Sequence, residues 1–110
     1  MRLVHLVTGA DGQSHVSEEN LELDAWTSTT GIRFEETAPG GALAWHVAPR
    51  RQYVITLSGH LEFTTRDGKT FTLAPGDVLL AEDTTGGGHE WRLIGPDPWL
   101  RAYVSLEDPA

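Results

Sequence analysis

The stretch Gly40-Gly-Ala-Leu-Ala-Trp-His-Val-Ala-Pro-Arg-Arg-Gln-Tyr-Val-Ile-Thr-Leu-Ser-Gly59 decides the fold. It contains an apolar segment that leads to His46, a short proline-arginine turn, and an alternating apolar run that begins at Gln52. Two strands joined by a tight turn are the expected structure. Because side chains alternate along a strand, His46 shares one face with two small alanines, and Gln52 shares a face with Val54 and Thr56.

The rest of the chain repeats this organisation. Short alternating segments are separated by glycine and proline turns, of which Asp67-Gly68 is the strongest hairpin signal. No segment keeps the 3.6-residue apolar period of a helix over three turns. The sequence therefore predicts an all-β sandwich or barrel, and its 110 residues fit one domain, 1–110.

Charge and composition narrow the partners. The net charge is −8, which argues against nucleic acid and anionic membrane surfaces as partners. There is no cysteine, so thiolate metal sites and cysteine nucleophiles are excluded. No apolar run reaches the roughly 18 residues of a membrane span. We expect a cytoplasmic protein whose partner is a small molecule.

A second polar position follows a glycine-rich loop. On the segment from His89 to Ile94, His89 and Trp91 share one face. Three side chains with nitrogen or oxygen lone pairs, those of His46, Gln52 and His89, can thus converge inside a barrel. The sequence places the candidate pocket there.

The spacing of these residues resembles the cupin family. Gly40, five residues, His46, one residue, Ala48, three residues, Gln52, six residues and Gly59 are similar to the first cupin motif. The stretch from Pro75-Gly76-Asp77 to His89 is similar to the second. The resemblance covers residues 31–106 and extends to small single-domain bacterial cupins. It implies a double-stranded β-helix, or jelly-roll barrel.

The departures from the family pattern concern its metal site. The resemblance implies metal ligands at His46, Gln52 and His89, but Ala48 replaces a second histidine and Gln52 replaces the usual glutamate. An amide oxygen brings no charge to a metal. One divalent transition metal (Fe, Mn, Ni or Zn) is one reading, and a metal-free polar pocket is the other. No organic cofactor is expected. Without a metal, His46 or His89 can act as a catalytic general base.

Several further residues have two readings each. Thr56 is a candidate pocket residue, and Trp91 is a pocket wall or core packing. Glu82, with Asp83, is an acid/base group or stray ligand, or else a solvated rim carboxylate. Arg50 and Arg51 form an anion site or ion pairs. The Gly86–Gly88 run is a mobile flap or a simple turn.

We expect an enzyme, a lyase or isomerase that acts on a small organic substrate. The reactions considered are isomerisation, elimination, cyclisation and decarboxylation. The alternatives are a non-catalytic small-molecule binding or sensing protein and a purely structural cupin. The N-terminal strand is apolar on both faces, so we also expect a homodimer to which residues 1–30 contribute.

Overall fold

Two packed β-sheets make up the computed structural model, which describes residues 1–108. The last two positions of the predicted domain, 109 and 110, lie outside the described residues. The strands are β1 (Arg2–Thr8), β2 (Ser14–Asn20), β3 (Thr29–Thr37), β4 (Ala42–His46), β5 (Gln52–Ser58), β6 (His60–Thr65), β7 (Thr70–Leu73), β8 (Val78–Ala81), β9 (His89–Ile94) and β10 (Trp99–Leu106). No helix occurs between residues 1 and 108. The all-β prediction is confirmed.

The chain alternates between the two sheets. The larger sheet has the order β2-β1-β8-β5-β10-β3, and the smaller has the order β4-β9-β6-β7. From β4 onward, the chain passes to β5 in the larger sheet, to β6 and β7 in the smaller, to β8, to β9 and back to β10. This winding is the double-stranded β-helix, or jelly roll, that the resemblance implied.

Period-2 alternation directs one face of each sheet into a shared core. On β5, Val54 and Thr56 are buried, whereas Leu57 is exposed. From the smaller sheet, Leu61 and Phe63 meet them, and Trp99 closes the core with only 1% of its surface exposed. The two sheets are therefore held together by apolar side chains that both contribute to one core.

Gly59, the last glycine of the opening stretch, lies where the chain crosses from β5 to β6. Its φ is 90°, in the left-handed region that favours glycine. A Cβ at this position would lie 2.7 Å from the carbonyl oxygen of Pro98. The spacing between Gln52 and Gly59 thus equals the length of strand β5. The strand ends where the chain crosses to the other sheet, at a position that only glycine fits.

The N-terminal strands are covered within the chain. β1 pairs with β2 on one side and runs parallel to β8 on the other, and its side chains Val4 and Leu6 are fully buried. Its apolar character therefore does not require a second chain. The homodimer stays a prediction, and the exposed apolar side chains of the larger sheet lie elsewhere, at Ile32, Phe34 and Leu57. Between residues 1 and 108 no helix is long and apolar enough to cross a membrane.

Candidate functional site

A pocket of about 690 Å³ lies between the two sheets. The smaller sheet contributes His46, His89 and Trp91 to its lining, and the larger sheet contributes Gln52. The structure therefore brings together the three residues predicted as the site, with Trp91 as a wall.

His46 ends β4 with its ring held by the chain beside it. Its Nδ1 lies 2.8 Å from the carbonyl oxygen of Ala44. A carbonyl only accepts hydrogen bonds, so Nδ1 donates and Nε2 is left with a lone pair in the neutral ring. Burial lowers the pKa of His46 from its ordinary value of 6.5. The hydrogen bond to Ala44 opposes this shift in pKa, and the neighbouring His89 adds to it. His46 is thus a neutral acceptor at pH 7.

His89 begins β9 and is held by a buried carboxylate. Its Nδ1 lies 2.6 Å from Oδ2 of Asp83, which also accepts a 2.5 Å hydrogen bond from Ser14. Asp83 and Ser14 are fully buried, and His89 is 4% exposed. The carboxylate fixes the ring and leaves Nε2 as the nitrogen available to a ligand.

The two imidazoles meet edge to face. Their centroids are 4.5 Å apart with an interplanar angle of 64°, and the two residues are register partners on β4 and β9. Gly88 makes this approach possible, because a Cβ there would overlap the carbonyl oxygen of His46 and its φ is 74°. The glycine run is packed as a turn: Gly87 also donates a backbone hydrogen bond to the Gly12 carbonyl.

Asp83 has one atom that no hydrogen bond satisfies. Its Oδ1 is buried and without a partner among residues 1–108. An unpaired buried carboxylate oxygen destabilises the fold, and such groups concentrate at functional sites. The sequence suggested a carboxylate at this loop but did not separate Asp83 from Glu82. Nothing in the sequence pointed to Ser14, which is 69 residues away along the chain.

Two predicted pocket residues do not line the pocket. Glu82 accepts hydrogen bonds from Arg51 and His5, both at 2.6 Å, on the outer side of the larger sheet. Although burial opposes it, these two partners lower the pKa of Glu82. Thr56 is fully buried and accepts a hydrogen bond from Trp99. Both depart from the prediction, because Glu82 lies in the loop after β8 with its side chain against His5 of β1, and Trp99 covers Thr56.

The opposite wall carries an arginine that the sequence did not single out. Arg101 on β10 is 3% exposed, and its guanidinium stacks 3.9 Å above the Trp99 ring. It donates to Glu35 at 2.5 Å, to Thr37 and to the Tyr103 hydroxyl. Inward alternation on a strand next to β5 was the available signal, but the sequence does not show which strands are neighbours.

The pocket holds fewer strong metal ligands than a catalytic metal site needs. Catalytic zinc sites keep three protein ligands, and here the pocket offers two imidazoles and the neutral Gln52 amide, because the lining carboxylate of Glu35 is bound through both oxygens to Arg101 and Arg33. Among residues 1–108, no group of three histidine, cysteine, aspartate or glutamate side chains is placed to hold a metal ion. The residues present are one strong ligand short, so the chemistry below is assigned to the protein's own side chains. The predicted metal stays a prediction.

Comparisons with known proteins give the family. The family model of the cupin domain matches residues 33–101, more than half of the chain. No curated protein is significantly similar to this chain.

Two solved structures share the fold. One is an uncharacterised conserved protein with a double-stranded β-helix domain from Klebsiella pneumoniae, with 26% identity, a TM-score of 0.54, and 68% of this chain and 64% of that one covered. The chain thus spans less than two thirds of that protein's length. The other, a conserved protein of unknown function from Streptococcus pyogenes, has 22% identity, a TM-score of 0.51 and coverages of 77% and 70%. With the motif spacing and the winding of the sheets, the family match leads to one conclusion: the chain belongs to the cupin family.

Proposed function

We propose that this cupin is an enzyme that moves a proton on a small oxygenated organic substrate, as an isomerase or a lyase. The observation that carries the proposal is the pair of imidazoles in the pocket, 4.5 Å apart, one of them backed by the buried Asp83. A buried carboxylate with an unpaired oxygen, such as that of Asp83, does not stabilise a fold. Its contact with His89 supports a functional reason for its presence, which is to hold a reactive imidazole in place.

His46 is suited to be the general base. Its ring is neutral at pH 7 because burial lowers its pKa, and Nδ1 is already used by the Ala44 carbonyl. The lone pair on Nε2 is therefore free to take a proton from a carbon next to a carbonyl group. A positioned base of this kind contributes about 10²–10⁴-fold to a rate.

His89 is suited to handle the second proton position. Asp83 and Ser14 fix its ring, so that Nε2 is the atom that gives a proton to the substrate or takes one from it. In an isomerisation, His46 removes a proton from one atom while His89, which enters the step as the imidazolium paired with Asp83, delivers one to another; exchange with solvent then takes the proton from His46 and restores the one on His89. In an elimination, His89 protonates the leaving oxygen. Asp83 acts through His89 and is a positioning residue.

The pocket supports a small substrate. Its volume of about 690 Å³ lies in the range of small-molecule sites, and Trp91 and Trp99 give it an apolar wall. The Gln52 amide faces the pocket and can hydrogen-bond a substrate oxygen. A binding or sensing protein remains the second candidate, because the same pocket can hold a ligand without turnover.

Proton exchange tests the proposal without a known substrate. The protein is incubated in D₂O with a pool of small carbonyl and hydroxy compounds, and loss of C–H signals is followed by NMR. We expect exchange in at least one compound, reduced about 100-fold or more in His46→Gln and His89→Gln. The matched control is His60→Gln, since His60 is exposed and does not line the pocket.

Two results would contradict the enzyme. One is pool members that bind in the pocket without any exchange, which would leave the binding protein. The other is exchange that survives both pocket variants. Parallel samples with a chelator and with added Zn²⁺ or Ni²⁺ test the predicted metal at the same time, because a metal-dependent exchange would be lost in the first and restored in the second.

A further inference from the structure

The charges around the pocket differ from those of the whole chain. The chain has 16 acidic and 8 basic side chains. Three of the eight basic residues line the pocket, Arg33, Arg50 and Arg101, whereas Glu35 is its one acidic lining residue. An acidic protein thus concentrates positive charge at one concave site, where the field acts most strongly on an entering molecule.

Arg101 and Arg33 share a single carboxylate. Glu35 accepts from Arg101 through Oε2 at 2.5 Å and from Arg33 through Oε1 at 2.9 Å. One negative charge facing two guanidinium groups leaves this wall positive. Arg101 is buried and uses its donors on protein groups, while the Arg33 side chain is 75% exposed. Arg33 therefore has the mobility and free donors to contact a ligand.

Arg50 carries an unbalanced charge at the rim. Its neighbour Arg51 is bound to Glu82 at 2.6 Å, but no ion pair among residues 1–108 includes Arg50. Arg50 is exposed and lines the pocket, four residues after His46 and two before Gln52. The turn between the two strands thus presents an unpaired guanidinium to the pocket that the imidazole pair lines.

We propose that the pocket takes a small organic anion, a carboxylate held by Arg50 and Arg33, with the reacting carbon at His46 and His89. The inference rests on the proposed function, since it names the substrate class of the same site. Guanidinium groups suit carboxylates because their planar donors match two oxygens at once. The charged end of the substrate is held toward the rim, and its uncharged part packs against the wall that Trp91 and Trp99 form together.

Matched acids and amides test the substrate class. The probes are benzoate with benzamide, glutarate with glutaramide, and 4-oxopentanoate with 4-oxopentanamide, titrated to 20 mM against ¹⁵N-labelled protein. We expect at least one acid to shift pocket resonances and to bind about 10-fold or more tightly than its amide. Added salt should weaken the acid and leave the amide unchanged.

Arginine variants locate the anion. Arg50→Gln and Arg33→Gln should each weaken acid binding about 3- to 10-fold and leave amide binding as it was. The matched control is Arg92→Gln, because Arg92 is exposed, pairs with Glu62 and does not line the pocket. It should change neither affinity.

The inference is overturned if the amides bind as tightly as the acids, if both pocket arginine variants bind acids normally, or if no acid shifts a pocket resonance at 20 mM. These failures differ from failure of the enzyme. If acids bind without proton exchange, the anion site is supported and the enzyme is contradicted. If exchange occurs only in neutral compounds, the enzyme is supported and the anionic substrate is contradicted.

Discussion

Two neighbouring carboxylates, Glu82 and Asp83, face opposite sides of the same sheet. Each contacts a histidine at 2.6 Å: Glu82 holds His5 on the outer side, and Asp83 holds His89 on the inner side. The Glu82 side chain is 21% exposed and also binds Arg51, whereas Asp83 is fully buried and has an unpaired oxygen. Identical chemistry in adjacent residues thus occurs in two dielectric environments.

The difference shows how burial changes the role of one type of contact. On the outer side, where both side chains keep about a fifth of their surface exposed, water still screens the contact between Glu82 and His5, and such a pair contributes little to stability. In the interior, the same pair fixes one ring orientation and makes each partner depend on the other. The outer pair fastens the N-terminal strand to the loop after β8. The inner pair aims an imidazole into the pocket.

Removal of the two carboxylates should have unequal effects. Asp83→Ala leaves the buried His89 and Ser14 without their acceptor, and we expect a loss of about 3–5 kcal/mol in the free energy of unfolding. Glu82→Ala should lose about 1 kcal/mol. Urea denaturation followed by tryptophan fluorescence measures both.

Double-mutant cycles provide the control for this pair of variants. Coupling between Asp83→Ala and His89→Gln should exceed coupling between Glu82→Ala and His5→Gln. Equal losses of unfolding free energy in the two carboxylate variants would show that burial does not distinguish the two pairs.

A smaller loss is expected at the turn that brings the inner pair together. Gly88→Ala places a Cβ against the His46 carbonyl oxygen at a φ of 74°. Gly95→Ala has a similar φ of 83° but open space around its Cβ. The left-handed backbone alone costs about 1–2 kcal/mol in either variant, so any greater loss in Gly88→Ala reports the contact with His46. We expect about 1 kcal/mol more in Gly88→Ala, measured by urea denaturation.

The Gly88 variant should also disturb the site, whereas the Gly95 variant should not. Chemical shifts of the His46 and His89 ring protons are the readout. Unchanged shifts in Gly88→Ala would mean that the glycine does not set the distance between the two rings.

The sequence predicted the fold because its signals were local. Strand alternation and turn residues depend on neighbours along the chain and indicated an all-β sandwich or barrel, and the resemblance of the Gly40–Gly59 spacing to the cupin family implied the two-sheet winding. The same local signals placed His46, Gln52 and His89 on inward faces, and all three line the pocket.

The rest of the site depends on contacts between distant segments. Ser14 reaches Asp83 across 69 residues, and Glu35 reaches Arg101 across 66. No periodicity encodes such pairs. The sequence also misplaced Glu82, because the direction of a side chain in an irregular loop is set by the strand it lands against, here β1. Local sequence patterns thus predict the strands and their inward faces, whereas the side-chain pairs of the site depend on tertiary contacts.

The smallest expected effect is the pH dependence that protonation of His46 in the pocket gives to stability. Burial lowers the pKa of His46, so its titration midpoint should lie below 6.5 in the folded protein and return to its ordinary value in urea. The sign follows from linkage: protonation favours the unfolded chain, so the contribution of His46 to stability is complete above pH 6.5 and is lost as the pH falls through the folded pKa. Any proton exchange that uses His46 as a base should fall over the same interval.

The ring-proton shift of His46, followed by NMR from pH 8 to pH 4, measures the midpoint. In His89→Gln the nearby charge is gone and the midpoint should rise part of the way, since burial remains. A folded midpoint at or above 6.5 would contradict the assignment of His46 as the neutral base.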